Sequence, residues 1–193
     1  MRFNLTANKL AESRFLFDLK IRTIRAPVLP TVVGVVCAAT RFEGMVCTQI
    51  QADGWDATDQ LSQLLLAGKF LPQLHLILLD GICLGGFNVI NLALLSQRLN
   101  RPCVALMRRM PNFEKIEAAL KRLPQAEKRL EIMRQAGVIH PYPPFYFQVC
   151  GETPEVIAQV LARITDRGNV PEALRLAHLI GAAIIKGESG RQA

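Results

Sequence analysis

Three places in this sequence carry side chains that could do chemistry. The first is Asp80, in the stretch His75–Leu92, HLILLDGICLGGFNVINL, where an apolar run ends at one acid and a glycine-rich turn follows. The second is ADGWDATDQ, which holds Asp53, Asp56 and Asp59. The third is His178 in RLAHLIG, with Arg175 three residues before it. Converging carboxylates hold hard divalent cations such as Mg²⁺ through oxygen ligands. A cation so held can set water against a phosphodiester.

Each of these residues also has a plainer reading. Asp80 can bond the amides of its own turn, and Asp53 can belong to an Asp-Gly turn. Asp56 can cap the helix that follows it. His178 lies among apolar helix neighbours, and Arg175 on the same face could meet a carboxylate or a phosphate. Spacing alone leaves these alternatives open.

Gly85 and Gly86 permit close backbone approach after Asp80, and a helix start there could bind an anion. The spacing is neither GxGxxG nor a phosphate loop, and no lysine follows, so a nucleotide site is not supported. No GxSxG is present, which leaves acyl transfer without a nucleophile elbow. The five cysteines are scattered with no CxxC pair and are expected to be structural thiols.

The elements that must position these residues alternate between strand and helix. TVVGVVCAA (31–39) reads as a buried strand, Arg41–Gly44 as a turn, and Met45–Asp53 as the second arm of a hairpin. IRTI supplies a short strand ahead of them. Asp56 leads into a helix over 57–69, HLILLD is a strand, and GFNVINLALLSQRL is the next helix. PCVALM is again a strand, and Asn112 caps a long basic helix interrupted near Pro124. YFQVC is a late strand, Thr153 and Pro154 open one helix, and Pro171 opens the last. This order predicts one α/β domain over 1–193 with a mixed sheet, hairpin first, and helices packed on it. Within it, residues 1–20 form a divergent N-terminal segment, and 187–193 a polar tail.

Composition narrows the partners. At 193 residues with half of them hydrophobic, the chain can bury a sizeable core. It has no apolar run long enough to span a membrane and no signal-peptide h-region, so a cytoplasmic location without membrane contact is expected. The formal net charge is +7, and eight basic residues stand against four acids between Arg108 and Arg134. A polyanion is one partner for such a face, with Arg108 and Arg109 gripping phosphates. A solvated amphipathic helix with pairs such as Glu117 and Lys121 is the other reading.

The motifs VVGVV, FEGMV, DGWDATD, LILLDGI, FNV, RPCVALMRRMP and VPEALRLAHLIGAA occur in uninterrupted order from Ile21 onward. Together they resemble the prokaryotic endonuclease dU family. That family is similar to endonuclease V, which implies an endonuclease V-like, ribonuclease H-like fold. LLDG resembles the central strand end of endonuclease V, and VPEALRLAH its late helix. The reaction implied is cleavage of DNA near a deaminated base, deoxyuridine, with Mg²⁺ or Mn²⁺. Carried over by position, Asp80 takes the fourth-strand acid role, His178 the late-helix role, and Asp53 or Asp56 the acid near the first helix.

One departure stands out. The family carries Gly-x-Asp-Asp after its first strand, where this chain reads IRTIRAPVLP. The acids are expected at Arg25, Ala26 and Pro27, or in a gap before Val32, and no aspartate occurs between Asp18 and Asp53. Losing one acid from a two-cation site weakens metal binding. The resemblance therefore implies either a DNA endonuclease or a nucleic-acid-binding module that keeps the fold without the cleavage.

Overall fold

The computed structural model describes residues 17–24, 29–165 and 170–189, with the backbone alone at 17–24 and at 185 and 186. The sheet begins with β1 (Phe17–Ile24), β2 (Thr31–Ala38) and β3 (Arg41–Gln49). Seven of the eight β2 residues are buried, as its β-branched composition requires of a strand covered on both faces. β3 alternates between exposed and partly buried positions, as an edge strand does.

The hairpin is tighter than the sequence suggested. Arg41–Gly44 is not a turn but the first half of β3; the chain reverses at Ala39 and Thr40, with Ala39 at φ 54°. Gly44 is there because the Phe70 ring packs over it, and a Cβ would meet that ring at 2.6 Å. A glycine chosen for an aromatic neighbour looks, in sequence, like a glycine chosen for a turn. β1 also starts earlier than IRTI, at Phe17.

β1 pairs antiparallel with β2 and parallel with β4 (Leu76–Asp80), which pairs parallel with β7 (Cys103–Met107). Past β7 the sheet turns antiparallel through β9 (Phe145–Cys150) and β8 (His140–Tyr142). The strand order is β3-β2-β1-β4-β7-β9-β8. A separate two-stranded ribbon, β5 (Cys83–Leu84) with β6 (Asn88–Val89), follows Asp80 directly. This ribbon corrects the expectation of a helix from Gly86. Helix α2 (Leu92–Leu99) begins only after Asn91, whose side chain accepts the Leu94 N–H.

Helices cover both faces. Ile77 and Leu79 of β4 pack with α1 (Ala57–Leu66) and α2. Leu76 and Leu78 face the other way, toward α5 (Pro154–Arg163) and Leu174 of α6 (Glu172–Lys186). Ala173 and Ala177 let α6 lie close on Val33 and Val35 of β2. Burying each such leucine or valine contributes about 2 kcal/mol. The basic segment is two helices, α3 (Phe113–Leu120) and α4 (Ala126–Gln135), broken where Pro124 precedes Gln125 at φ 57°. Asn112 caps α3 as expected, accepting the Lys115 N–H at 3.0 Å. Both helices pack on Val89 of β6 through Leu120, Leu130 and Met133.

Candidate functional site

β4 delivers Asp80 to the carboxyl edge of the sheet, level with Leu106 of β7. The Gly81 N–H donates to the Leu106 carbonyl at 2.8 Å, and Gly81 takes φ 86° to leave the strand. Alternation along β4 assigns Asp80 to the face of Leu76 and Leu78, which is the face α5 and α6 cover. His178 lies on α6, partly buried, with its Nδ1 closed off from solvent. The fourth strand and the late helix thus serve one side of the sheet.

On the neighbouring strand the register runs from Asp18 opposite Leu76 to Ile21 opposite Leu79. Arg22 is the next position of β1, beside the next position of β4, which is Asp80. The three positions where family acids were expected, Arg25, Ala26 and Pro27, lie outside the described residues.

Asp53 and Asp56 sit where β3 passes into α1, at the same end of the sheet, and both are engaged by the ribbon loop that follows Asp80. Asp53, at φ 51°, accepts the Phe87 N–H on Oδ1 at 2.7 Å, and its own N–H donates to the Gly85 carbonyl at 2.9 Å. Gly86, at φ 94°, lies so close that a Cβ would stand 2.3 Å from Asp53 Oδ1. The Gly85–Gly86 turn is therefore filled by Asp53. With α2 starting only at Leu92, the expected anion site at a helix start beside these glycines is not formed.

Asp56 occupies the N-cap position of α1, but its carboxylate is not the cap. Both oxygens accept from the Gln51 N–H, at 3.1 and 3.2 Å, and Oδ1 also accepts from Asn88 Nδ2 at 2.6 Å. The cap comes from Asn88 Oδ1, which takes the Ala57 N–H at 3.1 Å. Asp59 is drawn off to a salt bridge with Arg98.

Sequence reasoning missed two residues of this cluster. Asn88 is buried and ties the two loops together. Arg129, counted in sequence with the exposed basic residues of 108–134, is instead 1% exposed and reaches from α4 into the same loops. Its one signal in sequence is position: with Ala126, Leu130 and Met133 it falls on the apolar stripe of its helix.

The remaining cations divide. Arg108 and Arg109 are exposed in the segment after β7. Arg175 is held by Glu172 through two hydrogen bonds, Nε to Oε2 at 2.8 Å and Nη2 to Oε1. Near the loops, burial pushes the Cys83 thiol up to about 12, with Arg129 opposing and Asp53 adding to the shift. His75 is lowered, first by burial and then by Arg101.

A pair of divalent cations would need several oxygen or imidazole donors converging on one point. Among the described residues no group of three or more His, Cys, Asp or Glu side chains converges in that way. Both oxygens of Asp56 and Oδ1 of Asp53 accept from amide donors. The described residues thus do not by themselves fit a two-cation site. No described helix is long and apolar enough to cross a membrane.

The endonuclease dU family model matches residues 26–185. A "UPF0215 protein" of Archaeoglobus fulgidus is 39% identical over 158 residues, 82% of this chain and 87% of the relative. One from Methanopyrus kandleri is 36% identical over 169 residues, 84% and 86% of the two chains. Among solved structures, an Archaeoglobus fulgidus protein of unknown function superposes with TM-score 0.86 at 35% identity, covering 89% of this chain and 99% of its own. Human endonuclease V follows the same path at TM-score 0.63 and 13% identity, covering 96% and 91%. Endonuclease V of Ciona intestinalis, solved with a 24mer DNA containing an inosine followed by a ribo-adenosine, gives 0.58 at 15% identity, covering 90% and 87%. At those identities the likeness is one of fold, and the fold is the mixed-sheet, ribonuclease H-like one of endonuclease V. With its motifs in order along the matched span, the chain belongs to the endonuclease dU family.

Proposed function

We propose that this protein acts on DNA in the cytoplasm as an endonuclease, cutting a phosphodiester near a deaminated base, deoxyuridine. One observation carries the reading: Asp80 stands at the carboxyl end of the central parallel strand, on the face served by the His178 helix. In an open α/β sheet, that edge is where ligands bind. Asp80 supplies the carboxylate, His178 the late-helix group, and Arg108 with Arg109 the grip on phosphates. Mg²⁺ or Mn²⁺, held by Asp80, would supply an activated water. The described donors do not complete its coordination.

The test is strand cleavage. Labelled duplex and single-stranded oligonucleotides bearing deoxyuridine, deoxyinosine or neither are incubated with Mg²⁺ or Mn²⁺, beside Asp80→Asn. Metal-dependent nicking near deoxyuridine, lost in the variant, supports the reading. Undiminished cutting by Asp80→Asn sinks it.

A second reading is favoured by IRTIRAP, which carries no acid, and by the commitment of Asp53 and Asp56 to amide donors. On that reading the fold binds nucleic acid without cutting it. It requires DNA binding with a steep salt dependence and no nicking under any metal. Affinity indifferent to salt would count against it.

A further inference from the structure

Arg129 is the largest fully buried side chain in the described protein, and burying a guanidinium is costly unless its donors are met. Its Nη1 donates to the Gly54 carbonyl at 3.0 Å and to the Phe87 carbonyl, and its Nη2 donates to the Asp53 carbonyl at 2.6 Å. Its Nε is buried with no partner among the described residues. The guanidinium carbon lies 4.2 Å from the centre of the Trp55 ring, with Lys128 Nζ at 5.0 Å from the same centre.

The three acceptors belong to two loops far apart in sequence. One is Asp53–Gly54, between β3 and α1; the other is Phe87, in the ribbon that follows Asp80. The loops already meet through the Phe87 N–H on Asp53 Oδ1. Arg129 adds bonds from a third element, and only a planar fork with several donors can take carbonyls from both loops at once. A helix serving stability alone would fill this place with an apolar side chain, as Leu130 and Met133 do beside it.

We propose, resting on the nuclease reading above, that Arg129 is a positioning residue. It locks the Asp53–Trp55 turn and the Gly85–Phe87 turn into one rigid unit beside Asp80, which makes α4 a working part of the site. It acts through the two loops. Its effect is on where the carboxyl edge of the sheet holds the strand to be cut.

The chain's single tryptophan, Trp55, lies under the guanidinium and reports on this unit directly. Arg129→Gln and Arg129→Lys are compared with the parent protein in three ways. Circular dichroism establishes folding. Acrylamide quenching of Trp55, with hydrogen exchange at the Phe87 amide, follows the loops. Single-turnover cleavage of a deoxyuridine oligonucleotide at saturating DNA, with the dissociation constant measured in parallel, follows the site.

The expected result for a folded Arg129→Gln is a more accessible Trp55 and faster Phe87 exchange. Cleavage falls about 10²-fold, the scale of a small misplacement of reacting groups, while the DNA dissociation constant stays within a few-fold. Arg129→Lys restores part of the rate, because one ammonium can bond some of the carbonyls. A folded variant with parental quenching, parental exchange or a parental cleavage rate overturns the proposal. If Arg129→Gln does not fold, Arg129→Lys decides on the same readouts. If the parent protein does not cut DNA, the nuclease reading fails on its own, and Trp55 quenching with Phe87 exchange still decides whether Arg129 locks the loops.

Discussion

Asn88 donates from Nδ2 to Asp56 Oδ1 at 2.6 Å and, with its own Oδ1, accepts the N–H of the very next residue, Ala57, at 3.1 Å. Asp56 stands at the N-cap position with helical backbone angles, φ −92° and ψ −8°, and its side chain turns back to the Gln51 N–H. A residue at N-cap ordinarily caps from the β region. Here the acid holds the asparagine, and the asparagine caps the helix. A strand ribbon 31 residues downstream thereby fixes where α1 begins.

Asn88→Ala removes three hydrogen bonds in one step, counting that from Nδ2 to the Gln51 carbonyl at 3.0 Å. Asn88 is 0% exposed, and the buried Ala57 amide loses its acceptor. The expected loss is about 3 kcal/mol of unfolding free energy, measured by urea titration. Asn88→Asp instead sets a second carboxylate against Asp56. Two such groups cannot both ionise cheaply, so the folded variant holds an extra proton and loses stability as pH rises above about 4. A variant no less stable at pH 7 than at pH 4 would contradict the geometry.

Gly86→Ala and Gly81→Ala separate backbone strain from crowding. Both glycines have positive φ, 94° and 86°. Nothing lies within 4 Å of a Cβ at Gly81, whereas one at Gly86 would stand 2.3 Å from Asp53 Oδ1. Gly81→Ala should cost about 1 kcal/mol, the price of a left-handed alanine. Gly86→Ala should cost clearly more, because Asp53 must move and drop the Phe87 amide. Equal losses in thermal unfolding would mean that Asp53 is not held as described.

The buried strands were readable because their residues alternate with helices and are β-branched or leucine-rich: β2, β4 and β7 fall where the apolar runs fall. The Asn112 cap was readable because it is local, as was the break near Pro124. The Thr153 cap, which takes the Val156 N–H at 3.5 Å, was readable for the same reason. What escaped was non-local. Gly44 answers to Phe70, Gly86 to Asp53, and the α1 cap to Asn88; in each case one loop sets the chemistry of another. Arg129 escaped because a charged residue on an apolar stripe looks like a surface residue until its carbonyl partners are folded against it. Asp80 was readable as a strand-end acid, and so was the lack of an acid at Arg25, Ala26 and Pro27, positions that lie outside the described residues.

Cys83 gives the protein an alkaline limit. Its thiol is pushed from 9.0 up to about 12, chiefly by burial. Below the unfolded value both states keep the proton, and this group contributes no slope. Between about pH 9 and 12 the unfolded chain loses the proton and the folded chain keeps it, so stability falls as pH rises. Cys83→Ala should flatten that part of a pH series of urea midpoints. In the folded protein at pH 8, Cys83 should resist iodoacetamide, because thiolate is the reacting form and is scarce there. The exposed Cys47 should be modified faster. Rapid alkylation of folded Cys83 would show that its surroundings are wetter than the structure gives.

Salt dependence distinguishes cations that meet DNA from those that serve the fold. Each phosphate neutralised by a lysine or arginine releases condensed counterions and steepens the fall of log K with log salt by about 0.9 for duplex DNA. Arg108 and Arg109 are exposed at the carboxyl edge of β7, one strand over from Asp80. Replacing both by alanine should therefore make the slope shallower by about 2 and weaken binding most at low salt. Arg175 already spends its fork on Glu172, so Arg175→Ala should leave the slope unchanged and show its effect in stability instead. Fluorescence anisotropy of a labelled duplex between 50 and about 200 mM salt, the range over which such slopes are large, reads all three proteins. An unchanged slope in the double variant would move the DNA path away from the β7 edge. A slope reduced by Arg175→Ala would mean that Glu172 gives up the guanidinium when DNA binds.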